Sequence, residues 1–230
     1  MSILKISHRG LWNRELPENS IGAFKRSISK KIPIELDVHI LKDDTLVVFH
    51  DDNLKRMTGI DKDIKDCTYE ELKHLKLLDT KEVIPTFKEV LSLVKGRVLL
   101  DIEIKIDVKD KKICKLVAEQ LDNYNGDFLV KSFNPVFINW FKKNRPNFKR
   151  GILIGNSKEL RKRGLKRFCL SWFCINHYCK PDFLAISKKL SSNKKIKKIS
   201  NKGVKILVWT IRDDKDYDFD GIIFEEKKQD

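Results

Sequence analysis

Four short segments of this chain carry side chains that could do chemistry together. Glu35 and Asp37 stand two apart in IPIELDV, and Glu103 and Lys105 stand two apart in RVLLDIEIK. Both runs otherwise have the composition of buried β-structure, and side chains at i and i+2 of a strand point to one face. Ionisable groups placed there are costly unless they are paired or hold a cation. Glu35 and Asp37 on one face repel, so without a cation one of them must take up a proton. Converging oxygens from Glu35, Asp37 and Glu103 suit a hard divalent ion such as Mg²⁺ or Ca²⁺. With His8-Arg9-Gly10 and His50-Asp51 added, the set implies a metal-assisted site acting on a phosphate.

Two histidines beside a bound phosphate meet the demands of phosphodiester cleavage. One group takes a proton from the attacking oxygen, and the other gives one to the leaving alkoxide. Arg9 and Lys105 carry the charge needed to neutralise non-bridging oxygens. Each residue also has a plainer reading. A histidine at a strand end, such as His8, can be a satisfied core residue, and Glu103 with Lys105 can be a structural ion pair.

The elements that must position these groups alternate along the chain. Strand-like runs fall at 3–8, 33–38, 98–104, 127–133, 149–154, 182–187, 204–210 and 220–224, eight in all. Helical stretches between them are expected at 19–31, 85–95, 110–122, 135–144, 157–166 and 193–202, with Pro85 and Pro135 as opening signals and Gly96 and Gly203 as stops. Eight strand–helix repeats predict an α/β fold of parallel strands closed into a TIM (β/α)8 barrel. The stretch 40–84 is too long for a minimal barrel connection. It reads as a short insertion after strand 2, with a strand-like segment at 45–51 and a helical one at 68–75, on the face where barrel sites form. The segment 168–181 takes no assignment from its pattern. No Ser/Gly/Pro-rich linker interrupts the chain, so a single domain over 1–230 is expected.

The polar groups sit at one end of the predicted strands: His8 and Arg9 after the first, Glu35 and Asp37 on the second, Glu103 and Lys105 on the third, Lys131 on the fourth and Trp209 on the seventh. The opposite ends are mostly Ile, Leu and Val. Reactive groups of such barrels come from the C-terminal strand ends.

At 230 residues, 41% hydrophobic and 35% charged, the composition is that of a globular protein. No apolar stretch approaches a membrane span, and MSILKISHRG lacks a leader pattern, so a cytoplasmic protein is expected. The formal charge is +15, spread widely, with the densest basic groups at 161–163, 188–189 and 194–198. No aromatic residues interleave with those groups and no zinc-finger, RRM or KH signature is present, so nucleic acid is not the expected partner. A solvated lysine-rich face is the plainer account, with peripheral attraction to anionic membranes as the alternative. The five cysteines are an odd number, which argues against a disulfide framework. Cys169, Cys174, His177 and Cys179 lie close together, but their spacing is not that of a zinc ribbon or knuckle, and the expectation is of thiols rather than a structural zinc.

At these residues the chain resembles the glycerophosphodiester phosphodiesterase family. The resemblance rests on His8-Arg9-Gly10, Pro17-Glu18-Asn19-Ser20, Glu35-Leu-Asp-Val38, the stretch from Phe49 to Gly59, Glu103-Ile-Lys105, Val208-Trp209-Thr210 and Asp220-Gly-Ile-Ile223. It implies a TIM barrel that hydrolyses glycerophosphodiesters to sn-glycerol 3-phosphate and an alcohol, with a divalent cation, Mg²⁺ or Ca²⁺. It implies His8 and His50 as the acid/base pair, Glu35, Asp37 and Glu103 as metal ligands, and Arg9 and Lys105 as phosphate contacts. Trp209 would wall the site beside the glycerol moiety. In the family picture a glycerol hydroxyl attacks phosphorus, and water opens the resulting cyclic phosphate. One departure is the last strand, which the family follows with a T-D-x-P type ending; here Phe224-Glu225-Glu226-Lys227 follows, with Glu225 in the place of the acidic residue.

Two alternatives have different consequences. A lysophospholipase D of the same barrel would need an apolar approach, for which Leu11, Trp12 and Phe133 are the candidates. A non-catalytic protein binding anionic lipid or nucleic acid would depend on the basic surface and not on Glu35 or Glu103.

Overall fold

The computed structural model describes residues 3–105, 111–155, 172–213 and 217–226. Its strands are β1 (Leu4–His8), β2 (Ile34–Ile40), β3 (Leu46–Val48), β4 (Leu100–Ile104), β5 (Phe128–Ser132), β6 (Arg150–Ile154), β7 (Phe183–Ser187), β8 (Lys205–Ile211) and β9 (Gly221–Phe224). All but β3 pair in parallel in the order β1-β2-β4-β5-β6-β7-β8-β9, and β9 pairs with β1 to close the barrel. β3 is antiparallel to β2, on the outside of the ring.

Alternation along each strand decides what faces in. On β2, Ile34, Leu36 and Val38 turn outward into a core shared with Phe24, Phe87, Val90 and Val94 of the surrounding helices. Glu35 and Asp37 therefore turn inward, as do Asp101 and Glu103 on β4. Elsewhere the interior holds an apolar cluster of Ile6, Phe133, Leu153, Phe183, Ala185, Leu207 and Ile223. Gly151 belongs to this packing, since a Cβ there would lie 2.3 Å from the Phe183 ring.

The helices start where their caps dictate. Ser20 accepts from the Ala23 N–H ahead of Ile21–Ser29, and Thr86 with Glu89 forms a capping box on Phe87–Val94. Asn134 caps Pro135–Asn144, with proline in the first turn. The helix expected from residue 19 begins at Ile21 because Asn19 has φ 58° and ends the preceding turn. Pro85 likewise stands one residue ahead of the Thr86 cap. The expected helix at 157–166 lies outside the described residues, as do Cys169 and the side chain of Cys174. The segment that resisted assignment holds the helix Trp172–Cys179.

The 40–84 stretch folds over an apolar cluster of its own, which includes Leu41, Phe49, Leu54, Met57, Ile64, Leu72 and Ile84. Within it β3 covers only Leu46–Val48, shorter than the 45–51 run expected. Phe49 still donates its N–H to the Asp37 carbonyl of β2, and His50 and Asp51 follow outside any strand. Among the described residues no helix is long and apolar enough to cross a membrane. Lys194, Lys195, Lys197 and Lys198 are exposed on the helix Lys194–Ser200.

Gly151→Ala is expected to lower stability by about 1–3 kcal/mol through overpacking against Phe183. Urea unfolding of Gly151→Ala, and of the same variant carrying Phe183→Leu, checks this: the second change should restore part of the loss.

Candidate active site

The turn after β1 brings the first groups together. Arg9 has φ 59° and Gly10 φ 80°, and a Cβ on Gly10 would press on Phe24 and Ala23 at 3.0–3.1 Å. Two successive left-handed residues reverse the chain sharply, and glycine is the residue that tolerates both the angle and the contact. The reversal points the Arg9 N–H at Glu35 Oε2, 3.1 Å away. The Arg9 guanidinium donates to Glu18 Oε1 at 2.6 Å, and its Nε lies 3.4 Å from Asp37 Oδ2.

Glu35, Asp37 and Glu103 offer oxygens that all lie within 4.8 Å of one another, and all three are buried. Two lysines enter the cluster. Lys105 Nζ sits 3.2 Å from Asp37 Oδ1 and 3.1 Å from Glu103 Oε1, and Lys131 Nζ sits 3.2 Å from Glu35 Oε1 and 2.6 Å from Asp101 Oδ2. Asn19 donates from Nδ2 to Asp37 Oδ2 at 2.9 Å. The carboxylates divide under this field. Burial pushes Glu35 up, and the like charge of Asp37 adds to the shift. Burial also acts on Asp37, but Lys105, His50, Arg9 and the Asn19 amide outweigh it and hold that carboxylate well below its usual range. Burial is opposed at Lys131 by Asp101, Glu35 and Glu103, which keep the ammonium charged. A donor set made only of carboxylate oxygens fits a hard divalent ion.

A histidine stands on either side of the cluster, each tied to a carboxylate. His8 Nδ1 lies 2.6 Å from Glu225 Oε1, with its Nε2 4.0 Å from Glu35 Oε2. His50 Nδ1 lies 2.6 Å from Asp51 Oδ1. Burial, together with the positive charge of Lys105, pushes His50 down toward its neutral form. Burial raises Glu225, but its bonds to His8 and Arg212 outweigh this and bring it to about 2. Arg56 fastens the His50 loop: it donates from Nε to Asp51 Oδ2 at 2.6 Å and from Nη2 to Glu18 Oε1 at 2.6 Å. Glu18 thereby receives both Arg9 and Arg56.

The far side of the cleft is apolar. Trp209 stands edge-on to Phe133 with ring centroids 5.9 Å apart, its Nε1 donating to the Ala185 carbonyl. Leu153 and Ile223 continue the wall of the cleft.

All the residues singled out from the sequence meet at this mouth: His8, Arg9, Glu35, His50, Glu103 and Trp209 line the cleft, and Asp37 and Lys105 lie beneath it at 1% exposure each. The sequence reading set Lys105 apart from the carboxylates as a phosphate contact; the structure puts its ammonium between two of them. Leu11 is buried at 2% exposure and does not serve as an apolar approach. Asp101 and Arg56 were missed as parts of the site, and Lys131, placed at the mouth by its strand end, was given no role there. Asp101 continues the 103/105 alternation by one step, and Lys131 is a charge inside an apolar strand, so both carried a signal.

A profile of the glycerophosphoryl diester phosphodiesterase family matches residues 8–226. A glycerophosphodiester phosphodiesterase of Caldanaerobacter subterraneus is 36% identical over 166 residues, covering 66% of this chain and 67% of that one. A Homo sapiens protein named lysophospholipase D GDPD1 is 36% identical over 138 residues, covering 54% of this chain and 43% of its own length. Among solved structures, an Oleispira antarctica phosphodiesterase in complex with the product sn-glycerol-3-phosphate superposes with a TM-score of 0.83 at 23% identity, covering 96% of this chain and 92% of that one.

Glu225 has its folded pKa, about 2, below the ordinary carboxyl value of 4.5. A depressed carboxyl contributes stability above its unfolded value and loses it as pH falls toward the folded one. The stability difference between the wild type and Glu225→Gln should therefore shrink as pH is lowered from about 4.5 to about 2. Urea unfolding across that window reads it; a gap independent of pH would contradict the ion pair.

Proposed function

The chain belongs to the glycerophosphoryl diester phosphodiesterase family, and from that membership we propose that it hydrolyses glycerophosphodiesters to sn-glycerol 3-phosphate and an alcohol at the barrel mouth. The observation that carries the proposal is the trio of buried carboxylates, Glu35, Asp37 and Glu103, with oxygens within 4.8 Å of one another and a histidine–carboxylate pair on either side. In this reading the trio holds a divalent cation, which when bound polarises the phosphoryl group.

The protein's own groups do the remainder. Glu225 and Asp51 each engage Nδ1 of a histidine, which fixes the ring and leaves Nε2 to exchange protons. One ring takes the proton of the attacking oxygen as the new P–O bond forms. The other delivers a proton to the alcohol oxygen as its bond to phosphorus breaks. A neighbouring glycerol hydroxyl serves as the attacking group, and water then opens the cyclic phosphate with the two rings in reversed roles. Arg9, on its rigid turn, supplies positive charge to the non-bridging oxygens, and Lys105 adds its charge from below. Trp209 and Phe133 form a flat apolar wall suited to the carbon skeleton of the glycerol.

A second reading keeps the chemistry and changes the substrate to a lysophospholipid. The apolar wall of Phe133, Leu153, Trp209 and Ile223 and the human relative's name favour it. The exposed lysines of the helix Lys194–Ser200 would add a weak attraction to anionic membranes in either case.

Turnover of glycerophosphocholine, glycerophosphoethanolamine and lysophosphatidylcholine, measured side by side, separates the two: hydrolysis confined to the acylated substrate would remove the first reading. Glu103→Ala, or addition of EDTA, should abolish turnover while leaving the far-UV circular dichroism unchanged. His50→Ala should lower the rate by at least roughly a hundredfold, the low end of what a positioned acid/base contributes. Near-normal rates in that variant would exclude its role.

A further inference from the structure

Two fully buried charges take no part in the reaction just described. Lys131, on β5, is 1% exposed and Asp101, on β4, is 0% exposed. A buried ion pair of this kind is seldom worth its desolvation, since apolar residues of similar size stabilise a core as well or better. The pair is placed where it touches one ligand of the cation site. Lys131 Nζ donates to Asp101 Oδ2 at 2.6 Å and reaches Glu35 Oε1 at 3.2 Å. The other Glu35 oxygen, Oε2, accepts the Arg9 N–H at 3.1 Å and is the one nearest His8 Nε2, at 4.0 Å. Glu35 is thus divided, one oxygen held from inside the barrel and the other presented at the mouth. Asp37 is held at both oxygens, its Oδ2 receiving the Asn19 amide at 2.9 Å and its Oδ1 the Lys105 ammonium at 3.2 Å.

The number of oxygens a carboxylate can give bears on which cation it prefers. Ca²⁺ takes about six to eight oxygens and commonly both of one carboxylate, whereas Mg²⁺ takes about six, keeps several waters and is satisfied by one oxygen from each carboxylate. We propose that Lys131, anchored by Asp101, is a built-in counter-charge that restricts Glu35 to a single ligand oxygen and turns the cation site toward Mg²⁺ over Ca²⁺. The proposal rests on the reading of Glu35, Asp37 and Glu103 as the ligands. Asp101 has a definite part in it. Its carboxylate holds the ammonium against Glu35 and cancels the ammonium's charge, so the restriction acts on geometry and adds no net repulsion of the cation.

The test is equilibrium binding of MgCl₂ and of CaCl₂ to the metal-stripped protein by calorimetry, without substrate. The charge-balanced pair Asp101→Asn/Lys131→Met releases Glu35 Oε1, and the Ca²⁺ to Mg²⁺ affinity ratio should rise roughly tenfold, the lower end of what removal of a ligand's outer partner does. An unchanged ratio in that folded variant overturns the proposal. Should the pair fail to fold, Asp101→Asn alone gives Lys131 wholly to Glu35. Affinity for both ions should then fall by about tenfold, with no move of the ratio toward Ca²⁺, and unchanged affinities overturn the proposal. Glu103→Gln separates this from the underlying reading. If it abolishes binding while the Asp101/Lys131 variants behave as wild type, only the counter-charge fails. If the wild type binds neither ion, or Glu103→Gln binds both as well as wild type, the ligand assignment fails and the proposal with it.

Discussion

Four carboxylates buried inside a closed barrel must be compensated, and the arrangement of the mouth follows from how that is done. Lys131 lies between Glu35 and Asp101, and Lys105 lies between Asp37 and Glu103, so acids and bases interleave across β2, β4 and β5. Removing one partner of such a pair leaves an uncompensated charge, which costs about 3–5 kcal/mol. The cluster is therefore a constraint on the fold as much as a site: it requires β2, β4 and β5 to be neighbours in one register, with Asp37 opposite Glu103 and Glu103 opposite Lys131. Even so compensated, burial leaves Glu35 raised.

Around this centre the backbone does the aiming. The left-handed pair Arg9-Gly10 turns the chain at the end of β1 so that a main-chain N–H and a guanidinium both face the carboxylates. Arg56 ties the loop of His50 to Glu18, which Arg9 also grips, so the turn after His8 and the loop of His50 share one acidic anchor. Each histidine is then held at Nδ1 by its own carboxylate, Glu225 just after β9 and Asp51 beside His50. The stabilising contacts thus connect residues far apart in sequence, and the geometry depends on the barrel being closed.

Much of this was legible beforehand. The barrel strands were readable to within two residues of each end because each is a short apolar run bounded by turn or cap residues. Glu35, Asp37 and Glu103 stood out because charges at alternate positions in such runs conflict with burial. Partners were harder to read. Nothing local connects Lys131 to Glu35 or Glu225 to His8, which lie on different strands or loops and meet only through closure. Arg56 sits in a charged segment, DDNLKRMTG, where a surface role is the ordinary expectation. The same limit explains Lys105. Its alternation with Glu103 correctly placed it inward, but whether its ammonium faces a substrate or a neighbouring carboxylate depends on what β2 presents beside it.

By itself, the sequence determined the order of strands and helices, the inward face of β2 and β4, and the kinds of groups that collect at one end of the barrel. These are local properties, set by period-two alternation, caps and the cost of burying charge. The tertiary structure decided which charge meets which: Lys105 with Asp37 and Glu103, Lys131 with Glu35 and Asp101, and each histidine with its carboxylate. Pairing is a matter of distances of about 3 Å across strands, and the register and closure of the barrel, which no single segment encodes, set those distances.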